Sequence, residues 1–517
     1  MQKTTKIKSI NRNDYKRRDF IKTMGLAAAG FALGKENSFA ESQAAGKARR
    51  PNLLFIFADQ LGYQRCGYGG DKNARTPNID KLASHSVNFQ NAVSNMPVCS
   101  AYRASLFTGK YTTSTGMVIN ELRMRTGHES FGKVLTRSNY RTAYIGKWHL
   151  YANQLGNHYD SKNSFVPPGP HRLGFDGYWA AYNFHHNYYR AYYHTDTPEK
   201  IFYGDNVYEP DAQTDMMTEF IRKAAKSNKP FSAFLSYGTP HDPWVRDNVP
   251  DKYVEMFKNV SLPDPPNYKD TNDKYADNWG RLNPKQRKML QTWRRLYYAM
   301  TANLDWNIGR LLNALEQAGL SDNTIVVFSS DHGEMFGAHG RRAKNIFYEE
   351  AARIPLLIRW PKKIRAGTVS DACISTVDIM PTILSLMDMK VPEEVEGMDL
   401  SHCALGGGGD EPQAAFLQNT GACAAWEDGH EWRALRDKQY TYAVYRVDKS
   451  ELLFDNKNDP YQMNNLAGNA QYKEKLEHFR GMLVRKMESL NDTFEKCTWY
   501  RDNWTDGKRN ITRTAGD

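Results

Sequence analysis

Asn52-Leu53-Leu54-Phe55-Ile56-Phe57-Ala58-Asp59-Gln60-Leu61-Gly62 is a nearly unbroken apolar run that stops at an acid and an amide. Such a run predicts a parallel strand buried on both faces. The same plan returns at Asn323-Thr324-Ile325-Val326-Val327-Phe328, followed by Ser329-Ser330-Asp331-His332-Gly333-Glu334. In both cases polar side chains follow the carboxyl end of the strand, where open α/β sheets place their ligands. Shorter strands are expected at Tyr144-Ile145, from Phe231 to Ser236 and from Pro355 to Ile358. Amphipathic helices fit Ala212 to Lys226 and Arg287 to Ala318, which gives an alternating α/β order.

Beyond Val377-Asp378-Ile379-Met380-Pro381-Thr382 the pattern changes. Gly406 to Gly409 is a glycine run, Trp432 to Phe454 reads as short antiparallel strands, and Tyr472 to Asn491 as a terminal helix. The expected organisation is an export leader over residues 1–40, a catalytic α/β domain over 50–400 and a smaller α+β subdomain over 401–517.

The chain has 517 residues, enough for more than one packed layer or domain, with 40% hydrophobic and 25% charged residues. A net charge of +11 suggests nucleic acid at first sight, but residues 1–40 hold nine Lys/Arg against three Asp/Glu. The remaining +5 forms no concentrated basic stripe, so no nucleic-acid partner is expected. In the leader, Lys16-Arg17-Arg18-Asp19-Phe20-Ile21-Lys22 precedes a modest apolar run from Met24 to Leu33 and ends at Ser38-Phe39-Ala40. That pattern looks like a twin-arginine export signal with a small-x-small cleavage site. It implies the twin-arginine translocase as a partner and a periplasmic or secreted product. The run is shorter than the roughly 20 apolar residues of a permanent membrane span. Six cysteines, at 66, 99, 373, 403, 423 and 497, match neither a CxxC nor a zinc spacing.

The most informative short stretch is Val98-Cys99-Ser100-Ala101-Tyr102-Arg103-Ala104-Ser105-Leu106-Phe107-Thr108-Gly109, followed by Lys110-Tyr111. A second is Tyr144-Ile145-Gly146-Lys147-Trp148-His149, and a third is Gly238-Thr239-Pro240-His241-Asp242-Pro243-Trp244. The fourth joins Arg341-Arg342-Ala343-Lys344 to Tyr348-Glu349-Glu350-Ala351-Ala352-Arg353-Ile354-Pro355. Each alone is explained by packing or a solvated charge; their shared order along the chain is not.

Together with the two strand ends, these segments resemble the formylglycine-dependent (type I) sulfatases of the alkaline phosphatase superfamily, over about residues 50–400. A weaker echo lies at Leu453-Phe454-Asp455 and Asn458-Asp459-Pro460. The fold implied is a large central mixed, mostly parallel sheet flanked by helices. The activity implied is sulfuric ester hydrolysis, with Cys99 oxidised to formylglycine, whose hydrate attacks sulfur and then collapses to expel sulfate. By the same resemblance Asp59, Gln60, Asp331 and His332, with the modified Cys99, would hold one divalent cation. Calcium is expected from the oxygen donors; Gln60 and His332 keep magnesium or manganese open. As a bare sequence feature, Asp59 also fits a helix cap.

The resemblance further implies that Arg103 contacts nucleophile and sulfate and that Lys147 and His149 assist the formylglycine hydroxyls. His241 would be the general acid and Lys344 a sulfate-binding cation. Ala101 stands where most members have Pro, which points to a radical S-adenosylmethionine maturase as the partner that converts Cys99.

The substrate expected is a sulfated carbohydrate, with algal galactan and glycosaminoglycan fragments both open. The stretch from Gly177 to Arg190 is dense in aromatic residues, His and Asn, and is either a sugar-binding loop or an aromatic core loop. His185, His186 and Arg190 from it, with Trp244, Arg246, His339 and Arg341, are the substrate-binding candidates. Two alternatives remain: a phosphonate or phosphate monoester hydrolase of the same superfamily, and a non-catalytic glycan-binding relative.

Overall fold

In the first apolar run, Leu53, Phe55 and Phe57 enter one core while Leu54, Ile56 and Ala58 enter another. Successive strand side chains point to opposite faces, so a strand covered on both sides needs an uninterrupted apolar sequence. The computed structural model describes residues 50–120, 122–151 and 161–504. The expected export leader lies outside the described residues.

That run is β1 (Asn52–Asp59), and it lies in the middle of an eight-stranded sheet. The other members are β2 (Val87–Phe89), β3 (Arg141–Lys147), β4 (Tyr178–Tyr182), β7 (Phe231–Pro240), β8 (Thr324–Ser330), β9 (Leu356–Arg359) and β10 (Thr368–Ser370). A separate two-stranded ribbon, β5 (Tyr192–Tyr193) with β6 (Ile201–Phe202), completes the series to that point. The spatial order is β10-β2-β9-β8-β1-β7-β3-β4. Every pairing is parallel except those of β9 with β2 and β8, so the sheet is mixed and mostly parallel, as expected.

Helices cover both faces. On one side lie α2 (Cys99–Thr108) and α5 (Thr376–Leu386), which contribute Tyr102, Leu106, Phe107, Ile379 and Ile383 to the first core. On the other lie α1 (Pro77–Ser84), α3 (Glu209–Ala225) and α4 (Pro284–Gln317), with Ile79, Ile221, Leu304 and Ile308 among their buried residues. Side chains of this size contribute about 1.5–3 kcal/mol each when fully buried. Both α3 and α4 begin three residues earlier than expected, because Pro210 and Pro284 sit in their first turns. Proline costs nothing there, since that N–H has no helical partner. A capping box between Asn283 and Gln286 fixes the start of α4.

The residues after 401 form an antiparallel meander, β11 (Ala415–Asn419), β12 (Trp432–Arg436), β13 (Tyr440–Tyr445) and β14 (Glu451–Asp455). Strand β11 lies upstream of the stretch that sequence reading assigned. One face of this sheet packs Leu417, Trp432 and Tyr445 on Ile346, Phe347 and Ala351. The other packs Phe416, Leu435 and Leu453 on Leu476, Phe479 and Leu483 of α6 (Lys473–Ser489). A buried pair, Arg433 to Asp492 at 2.5 and 2.7 Å, ties β12 to the segment after α6.

Candidate active site

Strands β8, β1, β7 and β3 are parallel neighbours, so their carboxyl ends share one edge of the sheet. From these ends come Asp331 and His332, Asp59 and Gln60, His241, and Lys147. Helix α2 starts at Cys99, and all ten of its residues are buried. A helix N-terminus directs free N–H groups and positive potential outward, which suits an anionic ester. Behind it Phe107 stacks on Trp148 at 5.3 Å, and Tyr144 stacks on Trp179 at 5.3 Å. Aromatic pairs of this kind add about 0.5–1.5 kcal/mol each beyond area burial. Gly146 lets β3 approach β7: a Cβ there would lie 2.0 Å from the Ser236 carbonyl oxygen. That approach sets Lys147 and Ser236 side by side.

The side chains converge. Lys344 Nζ lies 3.0 Å from Cys99 Sγ, 2.8 Å from His241 Nε2 and 3.3 Å from Gln60 Oε1. Cys99 Sγ is 3.2 Å from His332 Nε2 and 3.6 Å from Asp59 Oδ1. Lys147 Nζ donates to Asp59 Oδ2 at 2.6 Å and lies 4.8 Å from the centre of the Phe184 ring. Arg103 is spent on the frame: it donates to the Lys147 carbonyl and to Ser236 Oγ, both at 2.7 Å, and pairs with Asp59 at 3.3 Å. His149 packs on Phe184 at 4.4 Å, one ring away from Lys147.

Burial would raise the Asp59 carboxyl, but Lys147, His241, Lys344 and Arg103 hold it well below the usual carboxylate range. Burial, and then the Asp59 charge, push Asp331 up to about 7. Burial also drives the Cys99 thiol up to about 11, with Asp59 adding to the effect. His241 is lowered to about 4 by burial and then by Lys344.

Asp59, Cys99, Asp331 and His332 place their ligating atoms within 4.8 Å of one another. Asp331 Oδ2 is buried without a hydrogen bond; Arg103, at 3.6 Å, is its ion-pair partner. His332 Nδ1 faces the Gly333 carbonyl at 3.0 Å, so it carries the proton and leaves the Nε2 lone pair toward the cluster. Two adjacent buried carboxylates, one displaced toward its neutral form, fit a divalent cation that would neutralise both. Asp59 caps no helix; a single 3-10 turn at Tyr63–Arg65 follows it, with Gly62 at its start.

Of the substrate-binding candidates, His186 reaches this cluster, stacked on His241 with ring centroids 4.1 Å apart. The others have different surroundings. His185 is buried against Tyr182, with Nε2 on the Tyr192 carbonyl at 2.9 Å. Trp244 is buried among Trp293, Tyr297 and Phe336 and donates to the Pro240 carbonyl at 2.8 Å. Arg341 is buried in an ion pair with Asp273 at 3.0 Å. His339 stacks on Tyr348 at 3.7 Å. Arg246 pairs with Asp251, and Arg190 is exposed beside Asp205. Trp179, Ala180, Ala181 and Tyr182 of β4 are all buried, and in and after the strand Tyr182 donates to Glu209 and Tyr188 to the Gly238 carbonyl.

Sequence reading missed Ser236, Phe184, Glu334 and Asn120. Asn120 Oδ1 accepts from the Ser100 amide at 3.1 Å and from its hydroxyl at 2.8 Å, which caps the start of α2 from another segment. No local pattern marks such partners, because each is defined by a contact across the fold. Cys66, Cys99, Cys373, Cys403 and Cys497 are buried free thiols, and no helix among the described residues is long and apolar enough to cross a membrane.

The family described as Sulfatase matches residues 51–389, and N-sulphoglucosamine sulphohydrolase, C-terminal, matches residues 337–489. An ulvan-active sulfatase of Formosa agariphila is 37% identical over 465 residues, covering 89% of this chain and 86% of the relative. An N-acetylglucosamine-6-O-sulfatase of Bacteroides thetaiotaomicron is 28% identical, covering 87% and 89%. The crystal structure of the yidJ protein of Bacteroides fragilis superposes with a TM-score of 0.77 at 32% identity, covering 89% of this chain and 99% of that one. With a family match across most of its length and the alkaline phosphatase-like sheet to go with it, this chain belongs to the sulfatase family and is a sulfuric ester hydrolase.

Proposed function

We propose that the protein removes sulfate from a sulfated sugar within an oligo- or polysaccharide, using formylglycine made from Cys99. The observation that carries this reading is the position of Lys344, in contact with both Cys99 and His241 beside the Asp59–Asp331 pair. An ammonium there is placed to hold the sulfate oxygens between nucleophile and acid. The hydrated aldehyde supplies a nucleophile that can also collapse to release sulfate. A divalent cation held by Asp59, Gln60, Asp331, His332 and the modified residue 99 would supply charge stabilisation, with calcium the ion that the oxygen donors favour.

The chain's own groups do the rest. Arg103 and Lys147 keep Asp59 ionised and oriented. His149 supports the Phe184 ring on which Lys147 rests. His241 donates Nδ1–H to the Asp242 carbonyl at 2.9 Å, so Nε2 is the atom that faces the leaving oxygen. In this state Nε2 accepts from Lys344. An anionic ester that draws Lys344 to its own oxygens frees Nε2 and favours its protonated form. His186, stacked on His241, lies where the sugar of the leaving group would pass.

Relatives named for ulvan and for N-acetylglucosamine 6-O-sulfate support a sugar substrate, and algal polysaccharide and glycosaminoglycan fragments both fit. Ala101 supports maturation by a radical S-adenosylmethionine enzyme, and the Arg17-Arg18 leader supports twin-arginine export to the periplasm. Mass spectrometry of the peptide that contains residue 99, from protein made with such a maturase, tests the central claim. Conversion of the thiol to an aldehyde together with sulfate release from a sulfated oligosaccharide is expected. Full activity with an intact thiol overturns it.

A further inference from the structure

Gln60 has two ends of nearly the same shape and opposite polarity, and only its oxygen can serve a cation. We propose that Glu334 is a positioning residue that decides which end of the Gln60 amide faces the cation site. Gln60 Nε2 donates to Glu334 Oε2 at 2.7 Å, and Gln60 Oε1 accepts from Lys344 Nζ at 3.3 Å. An ionised carboxylate only accepts and an ammonium only donates, so both neighbours select the same orientation. The backbone of Gln60 leaves no freedom to compensate. It sits in the left-handed region at φ 71°, its N–H donates to Asp331 Oδ1 at 2.9 Å, and its carbonyl accepts from Tyr297 at 2.8 Å.

Glu334 is itself held. It is buried, and its other oxygen accepts from the Phe336 amide at 3.0 Å and the Ala343 amide at 2.8 Å. Ala343 directly precedes Lys344. One carboxylate therefore orients the amide at the end of β1 and anchors the loop that carries the lysine. It also keeps a third negative charge one side chain behind the site, so that a cation held there would meet two carboxylates and a neutral oxygen. Partners of this kind alter metal affinity by about 10–100-fold when removed.

Glu334→Gln gives the sharpest test. The amide N–H bonds from residues 336 and 343 still require an oxygen at that end, so the new side chain turns its Nε2 toward Gln60. Gln60 must then flip and direct its own Nε2 into the site. Calcium binding by the demetallated full chain, measured calorimetrically with calcium chloride, should weaken by about 10–100-fold in E334Q. Gln60→Glu alone sets two carboxylates in contact and should lose binding and thermal stability. The exchanged pair, Gln60→Glu with Glu334→Gln, restores one carboxylate and one amide and should recover calcium binding to within a few-fold of the parent. Parent-like affinity in E334Q, or an exchanged pair no better than Q60E, overturns the assignment. The inference rests on the Asp59–Asp331 cluster being the cation site. If the parent chain binds no calcium, that reading fails first, and the two failures are distinguishable in the same titration.

Discussion

Lys344 Nζ stands 2.8 Å from His241 Nε2 and also 3.0 Å from Cys99 Sγ, so one buried cation touches both the thiol at the helix start and the imidazole across from it. The lysine enters from the loop after β8 and the histidine from the end of β7, and neither is near Cys99 in sequence. This contact separates two roles experimentally. Lys344→Ala should slow an activated aryl sulfate and a sulfated sugar alike, because sulfate is common to both. His241→Ala should cost about 10²–10⁴ in kcat/KM on the sugar and far less on the aryl ester, whose leaving group needs no proton. Equal losses for His241→Ala on both substrates would leave it a binding or packing residue.

Cys99→Ala removes one buried sulfur atom at the first position of α2. The cost in stability should be on the order of 1 kcal/mol. Turnover should vanish, because the proposed aldehyde forms at residue 99. Denaturant unfolding and a sulfate-release assay on the same preparation check both halves.

Asp331→Ala deletes one of two adjacent buried carboxylates, the one that burial and then the Asp59 charge raise to about 7. Activity should fall by about 10²–10³ or more, as when a preorganised charge stabiliser is lost. Chelation of divalent metal should do the same to the parent enzyme, with recovery on adding calcium back. Unchanged turnover after demetallation verified by elemental analysis would reject the cation.

Burial lowers the His185 imidazole from its ordinary 6.5 to about 3, and burial with Lys269 lowers His339 to about 4. Both groups are neutral in the fold and take a proton more readily once unfolded. Their contribution to stability is therefore complete above pH 6.5 and declines as the pH falls toward the folded values. The difference in melting temperature between the parent and His185→Gln should be constant above pH 6.5 and should move in the variant's favour as the pH falls from 6.5 to 4. A parent and variant with identical pH profiles would count against it.

Asp492 is buried and accepts from Arg433 and from Gln418 at 2.8 Å, closing the C-terminal sheet onto the segment after α6. Asp492→Ala leaves a buried guanidinium without its partner and should cost about 3–5 kcal/mol. Denaturant titration followed by tryptophan fluorescence would read it, with Trp432 adjacent in β12.

Much of the candidate site was legible in sequence because its residues sit at the ends of strands. The apolar run of β1 announces burial on both faces, and Asp59 and Gln60 follow it directly; β8 repeats the plan with Asp331 and His332. A strand's end is a local property, so local pattern finds it. Strand β9 was found as an apolar run, yet its antiparallel direction was not, since the run reads the same either way.

Side-chain destinations were decided elsewhere. Composition marked His185, Trp244 and Arg341 as polar or aromatic groups on functional loops, but each finds its partner inside: the Tyr192 carbonyl, the Pro240 carbonyl and Asp273. His186, one residue from His185, instead stacks on His241. The sequence by itself determined the alternating α/β plan, the family and the strand-end residues that meet at the sheet edge, because those depend on hydrophobic periodicity and short motifs. Only the tertiary structure decided that Arg103 braces Lys147 and Ser236, that Asn120 caps the helix that begins at Cys99 and that Glu334 holds Gln60. Those bonds join residues up to 274 positions apart, as Gln60 and Glu334 are, and a hydrogen bond that short-ranged exists only once the sheet has brought its strand ends together.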